Sequence, residues 1–589
     1  MADDIVRIAN CSGFYGDRLS AAIEMVEGGP IDFLTGDYLA ELTMAILFNQ
    51  RMARGEDKGY VGTFLKQVKE VIGPCLDKGI KIVSNAGGLN PNSMANEVEK
   101  IVSELGLKAK IAYIDGDDLM PRIADLQSQG VTLPNMDTGQ TLADSGLPPV
   151  SANVYFGGWG IKEALDQGAD IVIAPRVTDA AVVIGPAAHK FNWKRTDYDA
   201  LAGSLAAGHI IECGCQATGG NYSFIDEVPS YRNVGFPIAE IEANGNFTIT
   251  KHPGTGGLVS VGTVTAQLLY EISTPGYLNP DVIGHFDTMK IEQSGPDRVY
   301  VSGTKGSSPP ETMKVCINLA GGYRNGMQLL LTGLDVEKKA EVYTDAFFDS
   351  VGGKEQFDSV TVQLIRSDKE DPVTNEEAAA ELRILVTSQD PNKVGRLFNA
   401  KATELGLASY AGLNGRGGVP SGPYIAYWPT LISSQYMVEN LYIDGQKSEI
   451  LPHAQAGLGE LRYKVEPATV PDPPGGETVR MPLGRFFGTR SGDKGGNANL
   501  GIWARTDEAF AFLYHYLTVD ELKKLLPDTA HFDIDRYEMP NMKALNFYVH
   551  GILGRGVSSS TRIDGQAKSL GEYLRAKYID VPKVLADQL

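Results

Sequence analysis

Over its first 225 residues the chain repeats one unit: a short apolar run, an abrupt turn rich in glycine or carboxylates, then a stretch with helical spacing. Strands joined through helical crossovers must lie parallel, so this alternation constrains the fold more than any other feature. The predicted strands are Ile5–Asn10 and residues 31–34, 80–84, 110–114 and 170–174. After the third, Met94, Val98, Ile101, Val102 and Leu105 recur at i, i+4, i+7, i+8 and i+11, which predicts a helix with one buried face.

The turns after these strands carry the chemistry: Cys11-Ser-Gly-Phe-Tyr-Gly-Asp17, Thr35-Gly-Asp37, Asn85-Ala-Gly-Gly-Leu-Asn90, Asp115-Gly-Asp117-Asp118 and Arg176-Val-Thr-Asp179. In parallel α/β folds the ligand sits outside the carboxyl ends of the strands, so the turns are expected to meet at one crevice. Asn, Asp and Gly are also ordinary turn formers. Asn85 and Asn90 open a helix whose first N–H groups can hold an anion, with Asn90 in a binding role beside the caps Asn92 or Ser93. Arg176 offers a fork for a carboxylate, or pairs with Asp179. Glu212 follows the apolar pair Ile210-Ile211 and opens the run Glu-Cys-Gly-Cys-Gln-Ala-Thr-Gly-Gly-Asn221; burial there would raise its pKa into the range of a general acid or base. Asp115 or Asp117 is the expected partner of Glu212, with Arg176, Asn85 and Asn221 positioning a carbonyl.

Beyond residue 225 the rhythm changes. Residues 241–250 read as a hairpin through Asn244-Gly245, 361–365 and 381–387 as strands, and 336–348 and 393–404 as helices. The organisation expected is an α/β domain over 1–464, made of a parallel-sheet core (1–225) with an α+β extension (226–464). A Pro/Gly linker follows at 465–479, then a small C-terminal domain at 480–589. Within the last, a strand-to-strand loop over 488–499 concentrates Arg490, Asp493, Lys494 and Asn497 among glycines, and His550 opens a second glycine- and hydroxyl-rich turn. In so acidic a chain, such a loop is where an anion belongs.

Acidic residues number 73 against 53 basic, a net charge of −20, which disfavours nucleic acid and anionic lipid as partners. Neither a phosphate-binding loop nor a dinucleotide fingerprint occurs, so no cofactor is expected. Cys213 and Cys215 lack the second pair or nearby His of a zinc site, and no metal is expected, although the crevice carboxylates have the chemistry to take a divalent cation. Five thinly spread cysteines, an acidic start and no long apolar run favour the cytoplasm.

Ser12-Gly-Phe-Tyr-Gly-Asp-Arg18, Asn85-Ala-Gly-Gly, Arg176-Val-Thr-Asp179, the 212–221 run and Gly254-Thr-Gly-Gly257 resemble the N-terminal domain of the acyclic terpene utilisation family. Arg490-Ser-Gly-Asp-Lys-Gly495 and the run from His550 to Ser560 resemble its associated small domain, which implies a ferredoxin-like α+β fold. The resemblance implies a role in the catabolism of branched acyclic terpenoids through acyl-CoA thioesters, and transfers no catalytic residues. The reading that follows is a homo-oligomeric enzyme of lyase or hydratase type acting on a small anionic substrate such as a CoA thioester, with the C-terminal loop holding the anionic end. The alternatives are an accessory subunit of an acyl-CoA carboxylase and a metal-dependent hydrolase.

Overall fold

The computed structural model describes residues 5–453 and 469–588, so residues 465–468 of the expected linker lie outside it. The five strands expected from the repeat are the five parallel strands of an 11-stranded sheet: Ile5–Asn10, Phe33–Gly36, Lys81–Ser84, Ile171–Ile173 and Ile111–Asp115, in that spatial order. Alternate residues face opposite layers, as a period of two demands. Ala9, Leu34 and Ile82 pack with the helices Ala21–Gly28, Gly62–Lys78 and Pro91–Glu104, whereas Ile8, Phe33 and Val83 pack with Trp159–Asp166, Ala181–Lys190 and Tyr198–Ile211. Met94, Val98 and Val102 are buried as the helical spacing requires, while Leu105 ends the helix exposed.

Antiparallel strands extend both edges of this sheet. Pro237–Glu242 pairs with Ile5–Asn10 and turns through Asn244-Gly245 into Phe247–Lys251; Glu439–Ile443 closes the other side against Ile111–Asp115. A second sheet is organised around the 21-residue strand Thr312–Thr332, which pairs with Pro149–Val154, Ala379–Ser388 and Gly422–Ser433. The helix Val336–Ser350 forms as expected, but the helix predicted over 393–404 is interrupted: Gly395 leaves the helical region at φ −90°, ψ −111°, and regular α-helix runs only over Phe398–Glu404.

The C-terminal domain carries a four-stranded antiparallel sheet in the order Gly488–Lys494, Asn497–Trp503, Ala544–Val549, Ile534–Met539, with the helices Asp507–Tyr516 and Val519–Leu525 in its core. Two expectations are corrected here. The glycine-rich stretch 488–499 is not a loop but two strands, joined by the two-residue turn Gly495-Gly496. Thr478 and Val479, assigned to the linker by composition, begin the strand Thr478–Pro482 paired with Tyr578–Pro582. Among the described residues no helix is long and apolar enough to cross a membrane.

Candidate functional site

The helix Tyr198–Ile211 is apolar almost all round and buried along its length, as such a sequence requires. Its last carbonyls, of Ile211 and Glu212, accept hydrogen bonds from Asn10 Nδ2 at 2.8 and 3.1 Å, which fixes the helix end to the first strand. The Glu212 side chain is 4% exposed; its Oε1 lies 3.4 Å from His209 Nδ1, without the alignment of a hydrogen bond. Neither ring nitrogen of His209 nor Oε2 of Glu212 has a hydrogen-bond partner among the described residues. Burial, with the neighbouring carboxylates of Asp179 and Glu271, holds the Glu212 pKa well above the usual carboxylate range. Burial and the charge of Lys494 push His209 down to about 4, so its imidazole is neutral at physiological pH.

Arg176 stands at the carboxyl end of Ile171–Ile173, 2% exposed, stacked 4.0 Å from the Tyr155 ring. Its Nη1 donates to Asp179 at 2.9 Å and to the Leu39 carbonyl at 3.0 Å, and its Nε is unpartnered. Both sequence alternatives for Arg176 thus coexist: it pairs with Asp179 and keeps a donor free. Asp37, from the turn after the second strand, receives a short hydrogen bond from Asn85 Nδ2, while Asn85 Oδ1 accepts from the Tyr38 N–H at 2.9 Å. Burial and the nearby Asp179 and Glu212 raise the Asp37 pKa well above normal, so Asp37 and Glu212 favour the protonated form that isolated carboxylates lose.

The C-terminal domain enters the same centre. On the strand Gly488–Lys494, a Cβ at Gly492 would overlap the Tyr270 ring, and Gly495, at φ +67°, brings the turn against Tyr427. These close approaches explain why a strand is written in glycines. They deliver Lys494 to a position 5.4 Å from the Tyr277 ring, where burial and Lys314 lower its pKa against the opposing pull of Glu271, Glu41 and Asp179. Asn499 Oδ1 accepts from the Glu271 N–H at 2.8 Å while its Nδ2 donates to the Leu269 carbonyl, and this clamp holds Glu271 at φ +54°, a left-handed conformation unusual for a residue with a side chain. Beyond Arg176, Tyr155 donates to Glu41 at 2.7 Å and Lys314 pairs with Glu41 at 3.2 Å. The Glu41 carboxyl sits well below the usual range: burial pushes it up, but Lys314, Arg176 and the Tyr155 hydroxyl outweigh that. With side chains 26–29% exposed, Asp179, Glu41 and Lys314 open the cluster to solvent.

Glu212, Arg176, Asp179, Asn85 and Lys494 are therefore gathered in one neighbourhood, Asp117 and Asp493 border it, and Asp115, Asn90, Asn221, Asn497 and His550 make their contacts elsewhere. Asp115 accepts from Asn440 at 2.9 Å on the neighbouring strand. Asp117 is buried behind Arg176: its Oδ2 accepts from Asn153 Nδ2 at 2.8 Å and from the Arg176 N–H at 3.3 Å, and burial pushes it up to about 8. Asn90 caps its helix, accepting from the Ser93 N–H at 3.2 Å and donating to the carbonyls of Glu56 and Lys58. Asn221 is an exposed turn residue at φ +57°. Asn497 is engaged by Asp137, Tyr548 and Gly551, and His550 pairs with Asp535 at the surface. Asp493, half-buried on the opposite face of the strand from Lys494, is pushed up to about 8 by burial and by Glu271 and Glu41.

Asp37, Glu41, Tyr155, His209, Glu271, Tyr277 and Lys314 complete the cluster without having been singled out. Asp37 carried a signal, because it lies in one of the strand-end turns, and so did His209, three residues before Glu212; Glu41, Glu271 and Lys314 come from elements whose convergence no local pattern encodes. Among the described residues, no group of three or more His, Cys, Asp or Glu side chains is arranged to hold a metal ion. Burial raises the pKa of both Cys213 and Cys215, which keeps them as thiols.

Fold and site together define a mixed α/β protein whose polar centre lies at the carboxyl ends of parallel strands and is joined by a lysine from a ferredoxin-like domain. The chain belongs to the acyclic terpene utilisation family: the family model for the acyclic terpene utilisation family protein AtuA matches residues 6–442, and that for the AtuA ferredoxin-like domain matches 481–580. No curated protein matches the chain.

Proposed function

We propose that the protein is a catabolic enzyme that moves a proton to or from the carbon skeleton of a small branched acyl-CoA or carboxylate, in a lyase- or hydratase-like step. The observation that carries this reading is the Glu212 carboxyl. It is buried and inclined to stay protonated, has a free oxygen, stands beside a neutral imidazole, and has Arg176 and Lys494 within electrostatic reach. A dry site of this kind strengthens every charge–charge interaction in it. Arg176 and Lys494 would hold the substrate carbonyl and meet the negative charge that grows on its oxygen as the adjacent carbon gains or loses a proton. In a hydration, the water oxygen bonds to the β carbon and one water proton passes to His209, while the Glu212 proton goes to the α carbon. Elimination is the same path reversed.

A cytoplasmic location belongs to this reading, supported by cysteines that are all unpaired. The test is incubation of the full chain with branched enoyl- and hydroxyacyl-CoA thioesters, followed by mass spectrometry. A mass change of one water on at least one thioester is expected, and a panel returned unchanged contradicts the reading.

A further inference from the structure

Arg490 is 6% exposed, yet its Nε and Nη2 have no hydrogen-bond partner and it forms no ion pair among the described residues; the ring of Tyr270, 4.1 Å from its guanidinium carbon, is what it rests on. Burying a guanidinium with no ion pair is costly, and a fold that keeps one has a use for it. Side chains alternate along a strand, so Arg490, Gly492 and Lys494 share one face, the face that Tyr270 and the Glu271 side chain cover at Gly492. The two cations leave the strand about 13 Å apart, and their long side chains can converge or diverge from there. Gln267, on the helix Val261–Leu268 that packs against this strand, adds a second buried donor, since its Nε2 is also unpartnered. A planar guanidinium and an amide N–H group suit a carboxylate, which can accept on both oxygens.

We propose that Arg490 and Gln267 receive a second carboxylate of the ligand. The substrate is then a branched dicarboxylate, or a thioester bearing a free carboxylate, held at one end by Lys494 and Arg176 and at the other by Arg490. The assignment of the first end rests on the function proposed above.

Calorimetric titration of the full chain with 3-methylglutarate, 3-methyladipate, isovalerate and inorganic phosphate, for the wild type and Arg490→Met, tests this. The expected result is that at least one diacid binds ten-fold or more tighter than isovalerate, and that Arg490→Met erases this preference without moving isovalerate. The unliganded variant should melt no lower than the wild type, because the charge removed had no ion-pair partner and the methionine side chain can still pack on the Tyr270 ring. Isovalerate binding with no diacid preference overturns the inference and leaves the proposed function standing, whereas failure of every acid overturns both. A diacid preference that survives Arg490→Met, or a fall in its unliganded melting temperature, makes Arg490 a structural residue. Phosphate binding as tight as the best diacid overturns the carboxylate assignment.

Discussion

His209 Nδ1 and Glu212 Oε1 lie 3.4 Å apart in the last turn of one buried helix, with the other carboxyl oxygen unpartnered. Residues three apart share a helix face, so the backbone itself places this acid beside this imidazole. The negative end of the helix further disfavours the carboxylate form of Glu212. On the proposed function, Glu212→Gln keeps the shape and loses the proton. Turnover of any thioester substrate is expected to fall by about 100-fold or more, with the circular dichroism spectrum and melting temperature unchanged.

Asp117 sets a pH dependence of stability. Its folded pKa, about 8, lies above the ordinary 3.8, so its contribution is fully present below about pH 4 and is lost as pH rises toward 8. Both bonds it accepts go to Oδ2, which leaves Oδ1 for the proton, and an asparagine fits the same pattern with its amide group in that place. Asp117→Asn should therefore fold normally and reduce the decline of stability between pH 5 and 7 by about 1.4 kcal/mol per pH unit. Urea denaturation of variant and wild type at pH 5, 6 and 7 measures this; His209, which acts in the opposite sense, cancels in the difference.

Gly492 is the contact that lets the C-terminal strand seat against Tyr270. Gly492→Val places two methyl groups where the ring stands, so the strand must move and Lys494 with it. Loss of activity and faster proteolysis of the chain are expected, whereas an active, protease-resistant Gly492→Val protein contradicts the role given to this packing.

Asn499 is wholly buried and joins the C-terminal sheet to Leu269 and Glu271. Asn499→Ala takes this partner from the Leu269 carbonyl, the Glu271 N–H and the Asn546 side-chain oxygen, at a cost of about 1–3 kcal/mol for each group so stranded. Chemical denaturation should show the loss, and activity should fall further than stability alone explains, because Glu271 is freed from its left-handed conformation.

The parallel core was legible because apolar runs and helical spacing report burial locally, and each strand-end turn could be named before its neighbours were known. Glu212, Arg176 and Asn85 were found for the same reason. Asp115 and Asn90 looked equivalent in sequence but serve Asn440 and a helix cap, since a turn motif does not say which groups its side chains will meet. The strand Gly488–Lys494 was hidden by its own composition: glycine and aspartate are poor strand formers, and here tertiary contact with Tyr270 at Gly492 overrides that preference. Glu271 and Lys314 could not be read at all, because they reach the centre from distant elements.

Proton transfer at Glu212 is tested most directly by exchange in heavy water, which does not depend on knowing the net reaction. Full-length protein is incubated with branched acyl- and enoyl-CoA thioesters in D2O, and deuterium entering the acyl chain is followed by mass spectrometry. The wild type is predicted to label at least one thioester with one deuterium while Glu212→Gln leaves it unlabelled. Equal labelling by the two proteins, or none by the wild type across the panel, would contradict the account.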